Sequence, residues 1–226
     1  MTGGEVAPRG LYSPRLAWLR AGLYFAACLL AATLSGVLDA LLQAPLATQA
    51  QRADPRWWLL VTACFTVIVV GYHFVWPRGT FTDGRRRHGL LSLAYGATWG
   101  LCQGLWFLVI WTWIARSGLP TWAVAITAWL AIGGYNGIWH RFIWDIHVSP
   151  PHNYREWNGR KVLLCHTPNL VLGLTLLALH GNGALFVLMQ VLALALSAWH
   201  LRFPAWWDDY RAVPGEERSL ADRAPV

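Results

Sequence analysis

"LLSLAYGATWGLCQGLWFLVIWTWIA", residues 90–115, contains no charged side chain from end to end. A helix needs about 20 predominantly apolar residues to cross the hydrocarbon core of a bilayer, and this stretch has more than enough. Working outward, five further runs of the same kind flank it, at 16–42, 57–76, 121–140, 162–180 and 184–203. The expected fold is therefore an all-α, polytopic integral membrane protein, a bundle of about six transmembrane helices. Residues 1–15 read as an N-terminal tail, 16–203 as the membrane domain, and 204–226 as a C-terminal tail.

Composition supports this. The chain has 226 residues, of which 56% are hydrophobic and 13% charged, where soluble domains carry about 25% charge. Its mean hydropathy is +0.37. It also has 16 Trp, a residue that collects at both membrane–water interfaces. A soluble all-helical protein is not expected from runs this long and this clean. The four cysteines (Cys28, Cys64, Cys102 and Cys165) each fall in a different apolar run with no CxxC, so neither a disulfide framework nor a thiolate zinc site is expected.

Placing the N-terminus inside puts fifteen of the 18 Lys and Arg on the cytosolic side, all but Arg52, Arg56 and Arg116. Positive charge accumulates on cytoplasmic loops. Both termini are therefore expected in the cytosol, with the chain in the plasma (inner) membrane. The net charge of +7 is a topology signal, and no nucleic-acid partner is expected. Coupled ion transport is disfavoured, because Asp39 is the one acid within a run and lies near its outer end. No internal repeat of the transporter kind is present.

Small residues four apart allow close approach of membrane helices. Gly96, Gly100 and Gly104 form one such face, and Gly133 and Gly137 another. Gln103 and Gln190 lie deep in their runs and should hydrogen-bond across the bundle. Trp99, Gln103 and Trp106 follow i, i+4, i+7 spacing. With Trp129 they are candidates for the wall of a pocket holding an acyl chain, an isoprenoid or a flat pigment.

Residues 140–161 form a polar interfacial segment between the fourth and fifth runs. In this topology seven of the eight histidines fall at the cytosolic face, His180 being the exception. If the fourth helix continues, His140 and His147 share a face until Pro150 ends it. Asn153 and Glu156 have capping-box spacing for a short interfacial helix, with Arg155, Arg160 and Lys161 towards headgroups. The fifth run opens "CHTPNLVLG", with His166 and Asn169 three apart and Pro168 between them bending the helix.

The candidate catalytic set is thus His140, Asp145, His147, His152, His166 and Asn169, with Tyr135 and Asn136 just above. Three chemistries fit these residue types. Imidazoles of His140, His147 and His152 suit a transition metal, with Asp145 beside them, although the HxxxH and HxxHH boxes of membrane fatty-acid desaturases are missing. A His with Asp or Asn suits general acid–base work on a lipid. A single axial His suits haem or another pigment. "HTPNLVLG" is similar in part to the His-Pro-x-Tyr-x-Gly stretch of isoprenylcysteine-type membrane methyltransferases. "YREWNGRK" with the later "LHGN" resembles membrane-bound O-acyltransferases. Thr167 splits the His-Pro pair and the Tyr is replaced, the chain is much shorter than the acyltransferases, and no family is assigned.

The expected function is an enzyme acting on a lipid or isoprenoid at the cytosolic membrane face. The alternative is a non-enzymatic subunit binding a pigment, haem, a partner membrane protein or a second copy of itself.

Overall fold

The computed structural model describes residues 14–79, 89–138 and 159–199. Among them every regular element is helical. In chain order these are α1 (Pro14–Leu34), α2 (Val37–Gln43), α3 (Gln49–Ala53), α4 (Pro55–Val75), α5 (Leu90–Ala115), α6 (Thr121–Ile138), α7 (Gly159–His180) and α8 (Gly183–Trp199). Three of them, α4, α5 and α7, are long and apolar enough to cross a membrane, and α1 with α2 makes a fourth span if the two are one broken element. The apolar α8 is 17 residues long and α6 is 18; both stop where the described residues stop. The two ends of the chain and the segments 80–88 and 139–158 lie outside the described residues.

The first run is not one straight helix, as its hydropathy suggested. Between Leu34 and Val37 the chain turns by 77°, with Gly36 at φ 74°, a left-handed conformation that glycine adopts without a Cβ clash. The carbonyl of Ser35, released from the helical ladder, accepts a 2.8 Å hydrogen bond from Arg116 Nη2 in the loop after α5. A charged donor meets the backbone group that the break would otherwise strand.

The tightest seam of the bundle joins α5 to α8 and is built by glycine. A Cβ at Gly96 would collide with Leu194 O, and one at Gly100 would lie 2.5 Å from Gln190 O and Val191 Cα. At Gly104 it would lie 3.1 Å from Val187 Cα. The second glycine face behaves differently: a Cβ at Gly133 or Gly137 would meet nothing within 4 Å. These α6 glycines face open space rather than a neighbouring helix. The apolar core fills the rest, with Ile68, Phe107, Ile132, Leu176, Phe186 and Met189 almost wholly buried.

Two helices relax into π-helical turns at the same level. In α4 they span Val69–Val75, and in α7 Val162–His166. The α7 turn directly precedes Pro168, which has no N–H to give the ladder, so the helix widens there instead of breaking. The two turns abut: Cys165 Sγ lies 3.2 Å from Gly71 O, and a Cβ on Gly71 would touch Cys165 Cα at 3.4 Å.

Candidate functional site

Tyr72 and His166 are carried on these abutting π-helical turns. Tyr72 hydroxyl and His166 Nδ1 are 3.3 Å apart, a long hydrogen bond, and their rings meet edge-on. Trp76 completes the cluster, stacked on Tyr72 with centroids 5.5 Å apart and edge-on to His166 at 5.1 Å. Lys161 does not reach for headgroups as its charge suggested. It is 1% exposed, with Nζ 4.1 Å from the centre of the Trp76 ring. The ring face attracts the ammonium that burial has stripped of water.

Beside this cluster is a cavity of about 160 Å³, to which every helix from α4 to α8 contributes. Tyr72, His166, Thr167, Asn169, Gln103, Asn136 and Gln190 are its polar lining; Phe107, Trp129, Gly133, Val162 and Leu170 are the rest. No Lys, Arg, Asp or Glu among the described residues lines it. Trp129 and Gly133 are also exposed on the outside of α6, so the cavity opens sideways, at the flank of the bundle. Its depth runs from the middle of α6 to the level at which α7 begins.

A chain of amides forms its inner wall. Gln190 Oε1 accepts from Gln103 Nε2 at 3.3 Å and from Asn169 Nδ2 at 3.2 Å. Asn169 Nδ2 also lies 3.5 Å from Tyr72 hydroxyl. The glutamines thus meet across the α5–α8 seam, as their depth in the sequence implied, and the contact depends on the glycines that bring these backbones together.

Of the sequence candidates, the structure brings His166, Asn169, Gln103 and Trp129 to one cavity, with Asn136 from the level above. Trp99 instead stacks on Tyr24 with centroids 5.1 Å apart and meets Phe25 edge-on. Trp106 packs between Trp113 and Tyr135, while Tyr135 donates to Tyr24 hydroxyl at 3.0 Å. His140, Asp145, His147 and His152, including the three proposed metal ligands, lie outside the described residues. Among the described residues no three His, Cys, Asp or Glu converge in a way that could hold a metal ion. Tyr72 and Gln190 were missing from the sequence list of site residues. Only their polar groups inside apolar runs could have marked them.

Comparisons with protein-family models, with curated proteins and with solved structures find no match to this chain.

Proposed function

We propose that this chain is a six-span membrane protein with both termini in the cytosol, and an enzyme that acts on a lipid or isoprenoid. The distribution of Lys and Arg supports the topology. One observation carries the function: the Tyr72–His166 pair, held by two π-helical turns, lines a cavity that opens at the flank of a membrane bundle. π-Helical turns cost backbone regularity and are common at functional sites, and ionisable groups within a membrane domain mark function by default. Here Tyr72 orients the imidazole through Nδ1, and His166 moves a proton to or from the head group of a bound amphiphile. The apolar part of the substrate lies against Trp129, Phe107 and Leu170.

The test is His166→Ala in the full chain. Mass spectrometry of total lipid extracts from expressing cells should show a lipid species made by the wild type. The variant should make it about 10²-fold less or worse, as expected for loss of a general acid–base, at equal yield of folded protein. Identical lipid profiles for wild type and variant would refute enzyme action through His166.

A second reading, a non-enzymatic subunit seated against a partner membrane protein, is favoured by the outer face of α6. Trp122, Ile126 and Trp129 are exposed there, beside the open positions at Gly133 and Gly137. Small residues open at that spacing are how membrane helices admit a partner. A second membrane protein co-purifying in stoichiometric amount, with no lipid product, would select it.

A further inference from the structure

Two of the three amides on the inner wall of the cavity each bury an atom that no hydrogen bond fills, one an acceptor and one a donor. Asn169 Oδ1 and Gln190 Nε2 are buried and have no hydrogen-bond partner among the described residues. The residues themselves are 3% and 1% exposed. Buried polar atoms in native proteins are almost always satisfied, and the hydrocarbon zone supplies no bulk water to do it. Both residues line the cavity, and a partner that reaches the two atoms from it has to part the wall slightly, since neither atom is open to the cavity. The two amides are bonded to each other at 3.2 Å through their other atoms.

The conclusion does not depend on how the amides are oriented. Asn and Gln oxygen and nitrogen are assigned from the hydrogen-bond network. Turning all three amides over keeps their mutual bonds and exchanges the unused atoms, so that Asn169 offers the donor and Gln190 the acceptor. In either state a single group that completes both atoms must donate one hydrogen bond and accept another. A carbonyl or an ether only accepts. A phosphate needs a cation in so dry a site, and none among the described residues lines this one; the nearby Lys161 ammonium sits over Trp76.

Resting on the reading of this cavity as a lipid site, we propose that its ligand is an uncharged alcohol: the hydroxyl head of a membrane-dissolved amphiphile. The hydroxyl donates to Asn169 Oδ1 and accepts from Gln190 Nε2, close to Tyr72 and His166. A water molecule satisfies the same two atoms. An alcohol that displaces it recovers both bonds and also buries its chain against Phe107 and Leu170. The cavity has room for a head group and a few carbons; the rest of a longer chain leaves past Trp129 and Gly133 into the bilayer.

The test measures binding of three probes to the purified full chain in nanodiscs: the C20 prenyl alcohol geranylgeraniol, its methyl ether and its monophosphate. The alcohol should bind at least about tenfold more tightly than the ether, which leaves Asn169 Oδ1 unfilled, and more tightly than the monophosphate. The double variant Asn169→Leu/Gln190→Met, which keeps the volume, should erase the preference for alcohol over ether. Equal binding of ether and alcohol, or tighter binding of the monophosphate, would overturn the hydroxyl assignment and leave the lipid site standing. If no probe binds above its background partition into empty nanodiscs, the lipid site and the hydroxyl assignment fall together.

Discussion

Two places along α7 and α8 bury amide side chains, and they use them in opposite ways. At the turn between the helices, Asn182 is fully occupied. Its Nδ2 donates to Leu46 O at 3.0 Å and Gln51 Oε1 at 3.3 Å, and its Oδ1 caps α8 by accepting from Leu185 N at 2.8 Å. Gln51 is equally committed: Nε2 donates to His180 O at 3.1 Å, and Oε1 closes a capping box with Thr48. Most of these partners are backbone groups. Midway down the same helices, Asn169 and Gln190 bond mainly to side chains and leave an atom each unfilled beside a cavity. A saturated cluster fastens the chain, and an unsaturated one waits for something to complete it.

If that contrast is correct, replacing both amides of the first cluster should have the largest effect on stability. Asn182→Leu with Gln51→Met removes the α8 cap and strips the donors from the carbonyls of Leu46 and His180. A lost cap is worth about 1 kcal/mol, and stranded backbone groups add about as much each. We expect a loss of about 3 kcal/mol, read as a fall in Tm in detergent with the affinity for geranylgeraniol unchanged in molecules still folded. A variant as stable as the wild type would show that this turn is not the fastening its bonds imply.

The glycines sharpen the comparison at a middle scale. Gly100→Ala places a methyl group against the backbone of Gln190 and Val191, where no rotamer can yield. Overpacking of this kind costs about 1–3 kcal/mol, and here it also displaces Gln190, so stability and alcohol binding should fall together. Gly133→Ala meets nothing within 4 Å and should change stability by less than about 0.5 kcal/mol. A large loss of stability at Gly133, measured in the same melts, would mean that something covers α6 and would favour the partner-subunit reading.

These two glycine faces also show how far the sequence could be read. Their spacing is the same, and spacing says only that a helix can be approached closely. Whether it is approached depends on the rest of the bundle. Apolar runs were legible because hydropathy sums over some 20 residues, and α4, α5 and α7 fall within a few residues of where it put them. The break at Gly36 was not legible, since its compensating donor, Arg116, comes from a loop beyond four further helices. The site was legible by half. His166 and Asn169 stood out through their spacing around Pro168, but Tyr72, their partner, looked like one more ring in an apolar run. What assembles them is a pair of π-helical turns whose register is set by tertiary contact between Gly71 and Cys165. Lys161 was misread because a lone charge at a helix end ordinarily seeks water, and nothing local announces that Trp76 will hold it.

The change expected at the cavity amides is small and is the most telling. Asn169→Leu/Gln190→Met makes the same kind of substitution as the pair at the turn, at residues at least as deeply buried. It deletes two polar atoms that already lack partners, and the bond between the two amides disappears with both its ends. Replacing both partners by apolar groups of similar shape is close to neutral. Against this stand the loss of Gln103 Nε2's acceptor and of a 3.5 Å contact to Tyr72 hydroxyl. We expect the net change in stability to stay within about 1 kcal/mol of zero in the absence of ligand, while stabilisation by added geranylgeraniol vanishes, because a ligand raises Tm only through the site it fills. A loss as large as that of the Asn182/Gln51 pair would mean that the amides of the cavity are held in place for the fold. The two clusters would then differ in geometry but not in purpose.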